Sequence, residues 1–142
     1  ETLIPHEGAM VMLDEIVEYS DDHVVCLREI TSDALFAEDG CVPATVSIEY
    51  MAQTIAAYAG YSGHQRGEEV QLAFLLSCRE LTLDVDSYQV GDLLEIEASP
   101  SWIGDSRLGS FCCEVRVDGR VTAEAQLNVY QGSLESVMEK VS

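Results

Sequence analysis

A length of 142 residues suits one domain, and an apolar share of 47% is enough to build a sizeable core. The 26 acidic residues outnumber the 7 basic ones and leave a formal net charge of −19, which argues against nucleic-acid partners, because such binding depends on Lys and Arg neutralising phosphates. No apolar run approaches the ~20 residues of a bilayer span. The opening Glu1-Thr2-Leu3-Ile4-Pro5 has neither the basic nor the apolar region of a secretion signal. A single cytoplasmic domain over residues 1–142, without membrane insertion, is expected.

In chain order, Met10 to Tyr19 and His23 to Ile30 read as two strands joined by the polar turn Ser20-Asp21-Asp22. A loop from Thr31 to Val42 follows. Pro43 suits the first position of a helix, and apolar residues then recur at Ile48, Met51, Ala52, Ile55, Ala56 and Ala59, the spacing of a helix face. Gly60 and Gly63 are natural terminators. Tyr50, Thr54 and Tyr58 give the opposite side no charge, so the helix is expected to be buried nearly all round.

The remainder reads as strands. Gln71 to Val85 is one extended run, Asp86 to Asp92 a turn, and Leu93 to Ile103 a strand in which Pro100 marks a bulge or an edge. Arg107 to Val117 and Arg120 to Tyr130 flank Asp118-Gly119, a strong hairpin signal. Residues Ser133 to Ser142 are expected to form a short helix or to fray. One long buried helix among five or six antiparallel strands is an α+β arrangement in which the sheet wraps the helix. The five cysteines Cys26, Cys41, Cys78, Cys112 and Cys113 lack C-x-x-C spacing, so neither a metal site nor a disulfide framework is signalled. Four of them sit in apolar, strand-like surroundings and are expected in the core.

Glu49 stands out. It is the one charged residue between Gly40 and Gly63, in a chain where 23% of residues are charged. A buried, unpaired carboxylate costs several kcal/mol or takes up a proton. At helical spacing beyond it come Ala52, Gln53, Ala56 and Gly60, small residues with one amide. Such a stripe leaves space for an acyl chain, or lets a strand or a second subunit pack closely. The residues alone leave open whether Glu49 is an acid in a site or an interface carboxylate bonded to backbone.

Val42-Pro43-Ala44-Thr45-Val46-Ser47-Ile48-Glu49-Tyr50-Met51-Ala52-Gln53 resembles the Pro-Gly-Val-x-x-x-Glu-Ala-Met-Ala-Gln motif of the hotdog-fold β-hydroxyacyl-acyl carrier protein (ACP) dehydratases. Pro5-His6-Glu7-Gly8-Ala9-Met10-Val11-Met12-Leu13-Asp14 resembles that family's Pro-His-Arg-x-Pro-Phe-Leu-Leu-x-Asp opening. Tyr88-Gln89-Val90-Gly91-Asp92-Leu93-Leu94-Glu95-Ile96 is similar to its Pro-Val-x-Pro-Gly-Asp-x-Leu turn and strand. The similarity runs in order over nearly the whole chain and is nearest to the dehydratase-like proteins of aryl polyene clusters.

The resemblance implies a hotdog fold, a dimer, and cofactor-free removal of water from a β-hydroxyacyl thioester carried by ACP or CoA. In the family a His and an acid from opposite subunits exchange the protons, while a backbone N–H at the start of the helix polarises the thioester carbonyl. Glu49 matches the acid, the Ala44 N–H matches the polarising donor, and Tyr50, Ala52, Gln53 and Ala56 fall where substrate would lie. The family's His-Phe-Pro sequence should begin fourteen residues before the acid, but Leu35-Phe36-Ala37 stands there. His6 is then the leading replacement base, since His titrates near neutrality. His64 is expected beyond the helix and His23 at the surface, and Cys41 is a weaker nucleophile candidate.

Three functions follow. The chain is a dehydratase using Glu49 and His6. Alternatively it is a non-catalytic partner that binds acyl-ACP, or that lends Glu49 to a paralogous hotdog subunit bearing the His. The third is an acyl thioesterase. An acidic carrier protein would have to be met by a local basic patch drawn from Arg28, Arg66, Arg79, Arg107, Arg116, Arg120 and Lys140.

Overall fold

The computed structural model describes residues 13–31, 39–65, 71–103 and 108–133. Glu15–Ser20 (β1) and His23–Glu29 (β2) form the first hairpin, with Ser20 opposite His23. Cys41–Pro43 (β3) leads through a 3-10 turn, Ala44–Val46, into the helix Ser47–Gln65 (α1). Then come Gln71–Leu83 (β4), the short Ser87–Gln89 (β5), Leu93–Ile103 (β6), Leu108–Val117 (β7) and Arg120–Ser133 (β8).

Six strands make one antiparallel sheet in the order β1-β2-β6-β7-β8-β4, while β3 and β5 pair as a separate ribbon. The helix packs against β2, β4, β6, β7 and β8. Along β6, β7 and β8 the inward positions are Leu94, Ile96, Ala98, Phe111, Cys113, Val115, Ala123, Ala125, Leu127 and Val129, all buried. They alternate with outward polar residues, as a half-buried strand requires. Met51, Ile55 and Ala57 of α1 close the core at 0% exposure. This is the expected α+β hotdog arrangement.

Turn chemistry follows the sequence closely at one hairpin. Asp118 and Gly119 both take positive φ, 54° and 80°, the conformation that suits the twist of two strands joined by two residues. Pro100 marks a bulge, because the β6–β7 register shifts between Pro100 and Trp102.

Several boundaries differ from expectation. Pro43 is not the first helical residue. It ends β3 at φ −57°, ψ 141° and caps the 3-10 turn, so α1 starts at Ser47. Neither Gly60 nor Gly63 stops α1, which continues to Gln65 and so includes His64. Packing against the sheet outweighs the ~1 kcal/mol each glycine costs a helix. The stretch 86–92 is not a plain turn, since Ser87–Gln89 pairs with Cys41–Pro43. Of the cysteines, only Cys26 and Cys113 are buried. Cys41 and Cys78 are half-buried, and Cys112 is exposed because its strand neighbour Cys113 takes the inward position.

Candidate active site

Glu49 lies in the first turn of α1, where a carboxylate suits the positive end of the helix dipole. The expectation that it is enclosed fails for the single chain: Glu49 is exposed. The reason is visible in the exposure pattern along the helix. Thr45 and Glu49 are exposed and Ile48, Ala52 and Ala56 half-buried, whereas Tyr50, Met51, Gln53, Thr54, Ile55 and Ala57 are buried. Positions 45, 49, 52 and 56 recur at helical spacing, so they form one stripe that the described strands leave at least partly open. It is the stripe of small residues headed by the lone acid.

The remaining expected site residues separate from this stripe. Ala44 matches the donor that polarises a thioester carbonyl, yet its N–H already donates to the Asp86 carbonyl at 2.9 Å and the residue is 1% exposed. Tyr50, expected among the substrate-binding residues, points inward at 1% exposure. Burial pushes its hydroxyl pKa up from the ordinary value, and the hydrogen bond of the Arg28 guanidinium beside it pulls the other way. Gln53 is 8% exposed and faces away from open solvent. Only Glu49, Ala52 and Ala56 share the open stripe. His6, Leu35, Arg66, Arg107, Lys140 and the tail lie outside the described residues.

His23 and Cys41 are engaged elsewhere in the fold. The His23 ring bonds Glu18 Oε2 through Nε2 at 2.6 Å and Ser20 Oγ through Nδ1 at 3.0 Å, which fastens the β1–β2 turn. Cys41 pairs in the β3–β5 ribbon opposite Gln89. Among the described residues, no group of His, Cys, Asp and Glu is arranged to hold a metal ion, and no helix is long and apolar enough to cross a membrane.

Charge is distributed unevenly over the described residues. Arg28 is tucked under the helix beside Tyr50, 3.6 Å from Asp14 Oδ1, with its side chain 14% exposed. Arg116 is held by Glu95, Glu97 and Glu114 on the outer face of the sheet. Of the described arginines, only Arg79 and Arg120 are exposed. A groove of about 340 Å³ on that outer face is lined by Glu80, Glu97, Cys112, Glu114, Glu124 and Gln126. Glu97, Glu114 and Glu124 stand directly opposite one another across β6, β7 and β8. This groove suits no anionic ligand, and the sheet separates it from Glu49.

Sequence reasoning missed one buried constellation. Ser47, Tyr88 and Thr122 join their hydroxyls beneath the start of α1, at 2.9 Å and 3.0 Å. No local signal marks it, because the partners are 41 and 34 residues apart.

One long helix wrapped by a six-stranded antiparallel sheet defines the hotdog class. Within that class the chain belongs to the ApeP-like dehydratase family, whose model matches residues 1–139. It is similar to the 3-hydroxyacyl-acyl-carrier-protein dehydratase FabZ of Pseudothermotoga lettingae, with 30% identity over 135 residues, 89% of each chain. The FabZ of Rhizobium leguminosarum is 28% identical over 131 residues, 88% of this chain and 81% of that one. Among solved structures, the dehydratase heterocomplex ApeI:P from Xenorhabdus doucetiae superposes with a TM-score of 0.88 at 30% identity, covering 99% of this chain and 95% of that one. A hypothetical thioesterase protein with coenzyme A from Streptococcus pneumoniae shares the fold alone, at a TM-score of 0.66 and 14% identity over 84% of this chain and 88% of that one.

Proposed function

We propose that this chain is the acid-donating subunit of a β-hydroxyacyl-ACP dehydratase assembled from two hotdog chains. Glu49 protonates the departing hydroxyl, and the partner supplies the His that removes the α-proton. The observation that carries this reading is the uncovered stripe on α1. The lone acid and the small residues behind it face away from the chain's own core, where a second subunit would roof them over an acyl chain.

Five observations support it. The position of the family's His holds Leu35, which cannot exchange a proton. The Ala44 amide is already engaged with Asp86, so a lone copy lacks the family's carbonyl-polarising donor as well as its base. β4 is an edge strand with Leu75, Leu76 and Leu81 exposed, and α1 packs against it. Long apolar edges invite pairing, and a strand added at β4 would bring its own helix toward Glu49. Among the described arginines Arg28 and Arg116 are committed to carboxylates or to the core, and Arg79 and Arg120 are the exposed ones, so a basic surface contributed by the partner would help to dock an acidic carrier protein. The similar ApeI:P assembly is a dehydratase heterocomplex, in keeping with this division of labour.

The test is reconstitution. The chain is purified alone and together with a hotdog dehydratase subunit that retains His-Phe-Pro, and enoyl thioester formation from a β-hydroxyacyl-ACP is followed. Turnover is expected in the mixed complex only. Glu49→Gln should lower it by about 10²- to 10⁴-fold, the range for a lost general acid. Turnover by the chain alone that disappears with His6→Ala would replace the shared site with a self-contained Glu49–His6 pair. Hydrolysis of the thioester to free thiol would point to the thioesterase reading instead.

A further inference from the structure

We infer that the buried hydroxyl chain Ser47–Tyr88–Thr122 is a positioning device for Glu49, setting the rotation of α1 about its axis so that the carboxylate meets substrate at one defined angle. This rests on the reading of Glu49 as the acid of the site.

The direction of the chain is fixed by its far end. The Thr122 hydroxyl donates its only proton to the Val115 carbonyl at 3.0 Å. It must therefore accept from Tyr88, 3.0 Å away, and Tyr88 must in turn accept from Ser47 at 2.9 Å. All three residues are buried, at 0%, 1% and 4% exposure for Ser47, Tyr88 and Thr122. The result is a one-way run of hydrogen bonds from the first residue of α1, across β5, to β8 and the β7 main chain. Main-chain contacts hold the preceding segment to the same place: Val42 pairs with Tyr88, and the Ala44 N–H meets the Asp86 carbonyl.

Helix geometry gives this anchorage its consequence. Ser47 and Glu49 are two residues apart, about 200° around the axis, so a bond holding one on the inside aims the other outward. With side chains reaching about 5–6 Å from the axis, a rotation of about 10° would move the carboxylate by about 1 Å. A misplacement of that size lowers a rate by up to about 10²-fold. Apolar contacts of the helix with the sheet tolerate small rotations, whereas hydrogen bonds weaken steeply off their preferred angle.

The test uses the reconstituted complex and four variants: Ser47→Ala, Tyr88→Phe, Thr122→Val and Thr122→Ser. Thr122→Val keeps the shape and removes the hydroxyl, while Thr122→Ser does the reverse. The expected result per folded complex is a kcat lowered on the order of 10- to 100-fold in Ser47→Ala, Tyr88→Phe and Thr122→Val. KM should change less than about twofold, as when an interaction made in the transition state is lost. Thr122→Ser should keep the rate. The Ser47→Ala/Tyr88→Phe double variant should be no slower than the worse single one, because both break the same chain. Amide exchange over residues 47–51 should quicken in the three impaired variants. An unchanged kcat in Ser47→Ala and Tyr88→Phe, with Glu49→Gln inactive, would overturn the positioning role alone. So would a Thr122→Ser variant slower than Thr122→Val, since packing would then be what matters. Full activity in Glu49→Gln would overturn the underlying reading together with this one.

Discussion

The two sides of α1 are built on opposite terms. The inward side is finished: Met51 and Ile55 pack at 0% exposure, Thr54 returns its hydroxyl to the Tyr50 carbonyl at 2.8 Å, and Ser47 is tied to Tyr88. The outward side carries exposed Thr45 and Glu49 and half-buried Ala52 and Ala56, which the described strands leave at least partly open. A helix interior with so little polarity is costly to leave wet, and two alanines present almost no side chain to solvent or partner. The contrast teaches that the fold of one chain seats the inward side of α1 fully and leaves the side bearing Glu49 open, the side that the proposed function gives to a partner.

The largest expected effect comes from breaking the finished side. Phe111 is fully buried and packs edge-on against Tyr58 of α1, with ring centroids 5.6 Å apart. Phe111→Ala should cost about 3–5 kcal/mol of stability, seen as a large drop in the urea midpoint. A midpoint shift below about 1 kcal/mol would mean that the helix is not seated as described. The open side should respond in the opposite manner. Ala56→Glu is expected to change the stability of the chain by about 1 kcal/mol or less, while abolishing co-purification with a hotdog partner, because it places a second carboxylate and extra volume on the stripe. Full retention of the complex would show that the partner does not cover Ala56.

Much of this contrast is legible in the residues themselves. The stripe of Ala52 and Ala56 behind Glu49 is a matter of helical period, and so are the inward positions of the helix. What the period cannot say is which body covers an apolar face. A stripe packed on its own sheet and one packed on a partner have the same composition, so the residues place Glu49 inside and the fold leaves it outside. The Ala44 amide illustrates a second limit. Its position before the helix is readable, but its engagement with Asp86 depends on a ribbon between Cys41–Pro43 and Ser87–Gln89. Segments so short, and so far apart in sequence, leave no periodic trace. Gly60 and Gly63 show a third: local preference for a stop is outweighed by packing of α1 against the sheet.

The smallest expected effect probes the finished side by titration. Cys26 of β2 is fully buried, and burial pushes its thiol up from the ordinary value of 9.0 to about 11, a shift opposed by a hydrogen bond with Thr54 of α1. The folded chain therefore holds this proton over a range in which the unfolded chain releases it. The resulting stabilisation is fully present below pH 9 and is lost as pH rises through about 11. Urea midpoints measured at several pH values across that window should fall more steeply for the native chain than for Cys26→Ala, whose own packing loss is constant with pH. Parallel curves would mean that water reaches the thiol and that the helix is not sealed against β2. Labelling gives the matching contrast across the sheet. Exposed Cys112 should react with a thiol reagent in the folded protein, while Cys26 and Cys113, both buried, should react only on unfolding. Early labelling of Cys26 would place the weakness on the side of α1 that is here read as closed.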